Sequence, residues 1–285
     1  MPGKTVLLTG ANGFVGRQVR KALLARGHSV RRVVRRGQIE QTQMPPGELD
    51  PVETDDLFAE DRDWWAQRLE GVDCLIHAAW YVEPGHYQDA RENIACALSA
   101  LAMAEGAVAA GTRHVIGIGT CMEYRLPSKV LSVAAPLGPS TLYAASKLAT
   151  FFMLGRHFAN TGSAFTWARL FYLYGEGEHP ARLVPYIRRQ LANGAVADLS
   201  AGTQLRDYLD VTEAGSMIAR LTDTGQSGPV NICSGNAITI RALAERVAGE
   251  YGRLDLLHFG SAKPHPSDPE AVVGISNLWP EPDDG

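Results

Sequence analysis

The sequence predicts an α/β fold, a doubly wound parallel sheet with helices on both faces, followed by a smaller C-terminal lobe. Three observations carry this. Strand-like and helix-like runs alternate over the first 120 residues. The strand runs are almost continuously apolar, as in parallel sheets covered on both sides. The first of them runs straight into a glycine-rich turn that opens a helix.

Residues 5–9 (TVLLT) form a short β-rich run, residues 17–26 have helical periodicity and stop at Gly27, and residues 29–34 form a second strand. Residues 38–51 read as a Pro- and Gln-rich loop, with a short strand at 51–54. A helix carrying Trp64 and Trp65 comes next, then a buried strand at 74–77 (CLIH), an Ala-rich helix at 90–111 and a strand at 114–119 (HVIGIG). Residues 143–160 read as one helix and 164–170 as the next strand. From Tyr172 on, glycine and proline become denser and the rhythm loosens. A dinucleotide-binding lobe is therefore expected over 1–170, with the chain returning to it near 206–226, and a substrate lobe over 171–285. The tail from Ser261, rich in Pro, Asp and Gly, reads as loosely structured or dependent on packing.

The composition of the 285 residues, 45% apolar and 20% charged, excludes disordered, collagen-like and coiled-coil chains. A net charge of −4 gives a nucleic-acid partner no electrostatic support. Cys74, Cys96, Cys121 and Cys233 are widely spaced, with no CxxC pair and no nearby His cluster, so neither zinc nor a disulfide framework is indicated. They fit reduced thiols. No apolar run reaches the length of a membrane span, and the N-terminal apolar run is too short for a secretion signal. The expectation is a cytoplasmic protein without a membrane partner.

After the first strand come Gly10, Gly13 and Gly16, spaced GxxGxxG, and then a helix. Glycines there let backbone N–H groups approach a pyrophosphate at the helix N-terminus, where the dipole favours negative charge. A cofactor with a free ribose 2′-OH is usually held by an acid at the end of the second strand; Val34 stands there. Arg35 or Arg36 could pair with a 2′-phosphate instead, which favours NADP over NAD, or both could be solvated surface. Asp56 and Leu57 either meet the adenine or form a helix cap. Tyr143 and Lys147, four apart on one helix, share a face, so a cation next to the phenol is expected to lower its pKa and suit it to acid/base work. Thr120 ends the strand before them, in the crevice where doubly wound sheets bind ligands. Its hydroxyl either bonds a substrate oxygen or bonds its own turn.

TGANGFVG, Thr120 and the Tyr143/Lys147 pair together resemble the extended short-chain dehydrogenase/reductase family, in particular its nucleotide-sugar epimerases, dehydratases and 4-ketoreductases. His77-Ala78-Ala79 with Asn93, then RLFYLYG from Arg169, QLRDYLDV from Gln204 and VNICSG from Val230 extend the resemblance over residues 4–245. The resemblance implies a Rossmann-like lobe in which Gly10, Asn12, Gly13, Phe14 and Gly16 surround the pyrophosphate, with Ala78 and Ala79 beside the cofactor. It implies Tyr143 as general acid/base, Lys147 as the residue that holds the nicotinamide ribose, and Thr120 as the hydroxyl that orients the substrate oxygen. Arg206 would reach the phosphates of a sugar nucleotide; the bland alternative is an internal ion pair with Asp207 or Asp210.

Departures from the family pattern narrow the activity. Cys121-Met122 follow Thr120 where the dehydratases carry Asp-Glu, which argues against elimination of water. Cys121 is either a proton-transfer residue or a small buried thiol. Tyr172 stands where the family usually has Asn, and the tail lacks an arginine for the diphosphate, leaving Lys263 or His265. Trp80, Tyr81, Glu83, His86 and Tyr87 line a sugar pocket or form a packed loop. Glu123 and Tyr124 touch substrate or finish the strand, and His179 lies in a loop at the lobe junction. The expectation is an NADPH-dependent reductase of a nucleotide-linked 4-keto-6-deoxy sugar, with an epimerase that keeps NAD bound as the rival and a non-catalytic dinucleotide sensor as the outlier. The apolar faces at 90–111 and 148–158 suit a homodimer.

Overall fold

The computed structural model describes residues 3–38, 44–128, 130–263 and 268–280. In chain order its first elements are β1 (Thr5–Thr9), α1 (Phe14–Ala25), β2 (Ser29–Arg35), β3 (Glu48–Thr54), α2 (Arg62–Arg68), β4 (Cys74–His77), α3 (Glu92–Ala109), β5 (His114–Thr120), β6 (Val130–Leu131), α4 (Leu142–Phe158) and β7 (Ala164–Leu170). There follow β8 (Tyr172–Tyr174), α5 (Leu183–Ala192), β9 (Ala197–Leu199), β10 (Leu205–Asp210), α6 (Val211–Thr224), β11 (Gly228–Ile232), β12 (Ala237–Thr239), α7 (Ile240–Gly249), β13 (Leu257–Phe259) and β14 (Ala271–Gly274).

Seven strands form one parallel sheet in the order β11-β7-β5-β4-β1-β2-β3. The strand order reverses between β1 and β4, and a Rossmann-like sheet opens its ligand crevice at that switch point. One face packs Val6, Leu8, Ile76 and Ile116 against α1 and α6; the other packs Leu7, Leu75, Val115 and Trp167 against α2, α3 and α4. Burial on both faces explains the unbroken apolar runs. Gly117 and Gly119 leave the room on β5 that the Trp167 indole fills.

Two boundaries differ from the sequence reading. Helix α1 starts at Phe14, ahead of residue 17, because the glycine turn ends at Gly13, whose extended backbone serves as N-cap. Strand β3 starts at Glu48, inside the stretch read as loop; residues 39–43 of that stretch lie outside the described residues. The buried Glu48 carboxylate is held by Arg20 and Arg32, a polar anchor that hydrophobic periodicity does not register. Pro51 fits because β3 is an edge strand with no further neighbour to receive an N–H.

The second lobe is small. Its sheet runs β12-β10-β14-β6, with β8 on β10, and a separate core of Val184, Ile187, Leu191, Leu243 and Val247 joins α5 to α7. The chain then returns to the first lobe. Asp210 caps α6 by accepting the Thr212 amide at 2.8 Å, α6 packs on α1, and β11 extends the large sheet beside β7. Gly215 permits the close α6–α1 approach, since a Cβ there would meet Gln18 at 2.7 Å.

Candidate active site

A cleft of about 910 Å³ runs from the turn after β1, across the C-terminal ends of β4 and β5, to β8 and the loop before α5. Gly10, Asn12, Gly13, Phe14, Gly16, Ala78 and Ala79 all line it. Gly10 has φ +67, and a Cβ on it would lie 2.8 Å from the backbone between Ala78 and Ala79. Nothing larger fits. The first turn of α1 holds no acidic residue and no side chain caps it, so its free amides leave a positive helix end for an anion. This cradle fits the pyrophosphate of a dinucleotide. Asn12 is oriented from below, its Oδ1 accepting from the buried Arg32 at 3.2 Å.

Val33, Val34, Arg35, Asp56 and Leu57 line the far end of the cleft. Arg35 is exposed there and has no ion pair among the described residues. Arg36 does not line the cleft: its Nε donates to Asp55 at 2.7 Å on the surface. Asp56 both lines the cleft and caps a short turn, accepting the Phe58 amide at 3.0 Å.

Thr120, Tyr143 and Lys147 converge midway along the cleft. Thr141 caps α4, accepting the Ala144 amide at 3.2 Å, which sets Tyr143 and Lys147 on the inward face. The Thr120 hydroxyl shares the cleft with the Tyr143 phenol and accepts the Met122 amide at 3.3 Å, so it serves its own turn as well as the site. Lys147 is only 3% exposed; its ammonium donates to the Ile118 carbonyl at 2.7 Å and lies 3.7 Å from the Trp80 ring centroid. Burial brings its pKa down to about 7.

The expected depression of the Tyr143 pKa is not found. Burial, then the neighbouring Tyr87 and Glu123, push the phenol above its ordinary value, and Thr120 offsets this in part. The Lys147 charge is spent on Ile118 and Trp80. The phenol is therefore held protonated, the state of a proton donor.

Glu123 does not reach the cleft, which corrects its assignment to substrate. Its carboxylate is fully buried and accepts the Thr120 amide at 2.9 Å, Trp167 Nε1 at 2.9 Å and Arg169 Nε at 2.7 Å. It finishes β5 and fixes Thr120. Cys121 lines the cleft as a buried thiol pushed up to about 12 by burial, then by the charge of Glu123, which makes it inert as an acid or base near neutrality.

Tyr172 lines the cleft but Arg206 does not. Arg206 is 1% exposed, pairs with Asp268, and lies 5.3 Å from the Tyr172 ring centroid. Neither Asp207 nor Asp210 is its partner: Asp207 accepts the amides of Ser234, Gly235 and Gly274. Lys263 lines a second cavity of about 590 Å³ with Leu183, Gln204 and Asp268; His265 lies outside the described residues. Trp80 and Tyr87 line the main cleft, whereas Tyr81, Glu83 and His86 do not.

The sequence reading missed Tyr208, Glu178 and Arg182, which close the cleft from the second lobe. Tyr208 stands two residues after Arg206 in the same motif, and Arg182 immediately precedes α5. Burial holds the Glu178 carboxyl up at about 7.

Comparison with known proteins agrees with this architecture. The chain is 25% identical over 257 residues, 86% of its length and 90% of the relative's, to a dTDP-6-deoxy-L-talose 4-dehydrogenase (NAD(+)) of Aggregatibacter actinomycetemcomitans. A UDP-N-acetylglucosamine 4-epimerase from Methanobrevibacter ruminantium superposes with a TM-score of 0.84 at 19% identity, covering 100% of this chain and 94% of that one. A UDP-glucose 4-epimerase from Thermotoga maritima gives 0.81 at 17% identity, covering 96% and 90%. Both share the fold. The family model described as NAD dependent epimerase/dehydratase family matches residues 6–233, which include the glycine turn, Thr120 and the Tyr143/Lys147 pair. The chain therefore belongs to the NAD dependent epimerase/dehydratase family.

Proposed function

We propose that this enzyme reduces a nucleotide-linked 4-keto-6-deoxy sugar, using NADPH. The observation that carries the reading is the convergence of Thr120, Tyr143 and Lys147 in one cleft, with the phenol kept protonated and residues 121 and 122 offering no second acid/base. A dehydratase needs such a second pair. The relative named for a 4-dehydrogenase acts on a 6-deoxy sugar, and a 4-dehydrogenation run in reverse is reduction of a ketone at the same carbon.

A dinucleotide bound in the cleft supplies hydride. The protein supplies the rest. Gly10, Gly13, Gly16 and the α1 amides would hold the pyrophosphate, Ala78 and Ala79 would wall the cofactor, and Arg35 would pair with a 2′-phosphate where an NAD enzyme would carry an acid. Thr120 donates a hydrogen bond to the oxygen on C4, and Tyr143 passes its phenolic proton to that oxygen as it gains charge. Lys147 holds the ribose and supports the phenolate left behind. Tyr172 and Cys121 shape the sugar end. Leu183 borders both cavities, which supports a path for the nucleotide part toward the second one.

Exposed apolar side chains on α3 and α4, Leu98 at 61% and Phe152 at 54%, support a homodimer through these helices. Free, buried cysteines support a reducing, cytoplasmic setting.

The test mixes purified protein with NADPH and a dTDP- or UDP-linked 4-keto-6-deoxyhexose and follows the reduced-nicotinamide absorbance. Stoichiometric loss is expected, and Tyr143→Phe should slow it by about 10²- to 10⁴-fold while dinucleotide binding persists. Interconversion of 4-epimers without net cofactor consumption would establish the epimerase instead. Binding without turnover of either kind would leave a dinucleotide sensor.

A further inference from the structure

Lys147 poses a physical problem that the acid/base reading leaves open. Its ammonium is 3% exposed, one N–H goes to the Ile118 carbonyl at 2.7 Å, and no carboxylate forms an ion pair with it among the described residues. A desolvated cation needs a further partner. The Trp80 ring stands with its centroid 3.7 Å from Nζ, inside the range of a strong cation–π contact, while Trp167 is more distant at 5.9 Å.

The indole is itself held. Trp80 Nε1 donates to Asn93 Oδ1 at 2.8 Å, and the Asn93 amide nitrogen donates to the Tyr87 carbonyl at 2.6 Å and the Ala90 carbonyl at 2.9 Å. Asn93 is fully buried, so its orientation follows from these bonds and presents its oxygen to Trp80. The same loop sets Tyr87 edge-on against Tyr143, with ring centroids 4.9 Å apart at 89°. The segment after β4 therefore touches both members of the Tyr143/Lys147 pair, and Trp80 has its Nε1 and a ring contact committed before any sugar arrives.

We propose that Trp80 is a positioning residue for Lys147: its indole, locked by Asn93, holds the ammonium at the height on α4 from which it serves Tyr143. This rests on the reading of Lys147 as part of the acid/base unit. The groups whose charge reaches Lys147 are Glu123 after β5, Cys96 on α3 and His77 on β4. Glu123 is fully buried against Arg169, the Cys96 thiol is raised by burial and the His77 ring is kept neutral by it. Neither the Cys96 thiol nor the His77 ring titrates near neutrality, and the Trp80 substitutions leave the Glu123–Arg169 pair in place, so a shift in the Lys147 titration reports on Trp80.

The first measurement needs no sugar. The full chain carrying ¹³C-labelled lysine is titrated by NMR, with Lys147 assigned from Lys147→Met. Its midpoint is expected near pH 7. Trp80→Leu, which keeps an apolar filler but removes the π face, should lower the midpoint by about half a unit or more. Trp80→Phe should keep most of the wild-type value, and Trp80→Met should behave as Leu if the Leu variant does not fold. An unchanged or raised midpoint in Trp80→Leu or Trp80→Met overturns the proposal. The second measurement is kinetic. Trp80→Leu should lower kcat about tenfold or more with the sugar KM within about twofold, and Phe should restore most of the rate. A raised sugar KM at unchanged kcat would show that the ring stacks on the sugar and would also overturn it. If no 4-keto sugar is turned over, the kinetic arm fails with the proposed function while the titration still decides this one.

Discussion

Glu123 follows directly after Cys121-Met122, and by type alone it could be a catalytic acid. Its surroundings decide otherwise. Its carboxylate takes a backbone amide, an indole N–H and a guanidinium, all out of solvent, while Arg169 is flanked by the Tyr124 and Phe151 rings at 4.9 and 5.0 Å. Glu123→Ala leaves Arg169 charged, buried and unpaired. Urea unfolding should show a loss of about 3–5 kcal/mol, with the native and variant curves superposing if the pair carries no such weight. At the other end of the cleft Arg35 has no competing partner among the described residues, unlike Arg36. Arg35→Ala should raise the KM for NADPH about tenfold, the worth of one charge-assisted hydrogen bond, and leave that for NADH unchanged. Equal effects on both cofactors would place the 2′-phosphate elsewhere.

At the scale of elements, the turn from β1 into α1 carries the most function in the fewest residues. It closes with the Gly13 amide donating to the Gly10 carbonyl at 2.9 Å, and it leaves the helix N-terminus uncapped by any side chain. Gly10→Ala would force a methyl group into the Ala78–Ala79 backbone in a left-handed conformation. Dinucleotide binding by fluorescence titration should fall by at least tenfold while the far-ultraviolet CD spectrum is kept; retained affinity would move the pyrophosphate away from this turn. Helix α3 shows the opposite case. No unbroken apolar run in it is as long as a membrane span, but over 18 residues its mean hydropathy reaches that of one; half of it is buried inside the fold, where it packs against α2 and α4.

Two properties belong to the whole molecule. His28, His77 and His114 are all buried with depressed pKa values, chiefly from desolvation, His77 to about 3 and His114 to about 4. Between pH 6.5 and 4 the unfolded chain binds protons on these residues that the folded chain refuses, so stability falls as pH drops through that window. Glu178, raised to about 7, works in the opposite direction with one proton, and the histidines outnumber it. Thermal unfolding should therefore show Tm rising from pH 4 to 6.5, and His114→Gln should flatten the pH dependence of the unfolding free energy by up to about 1.4 kcal/mol per pH unit. Parallel slopes would show that His114 is not linked. The second is the proposed association: a species of twice 30.8 kDa is expected by light scattering, and Leu98→Asp should return it to the monomer. A wild-type monomer would end the dimer proposal.

The sequence by itself determined the order of strands and helices in the first lobe, the glycine cradle and the Tyr143/Lys147 pair. These are local: apolar period, turn chemistry and a four-residue helical spacing are written in adjacent residues. Only the tertiary structure decided which charges are free and which are spent. Arg206 meets Asp268, Glu48 meets Arg20 and Arg32, Glu123 meets Arg169, and Lys147 meets Trp80. Each partner lies far along the chain, so local pattern does not announce the pairing. The sign of the Tyr143 shift, opposite to the one its spacing suggests, follows from desolvation and from a lysine already engaged elsewhere.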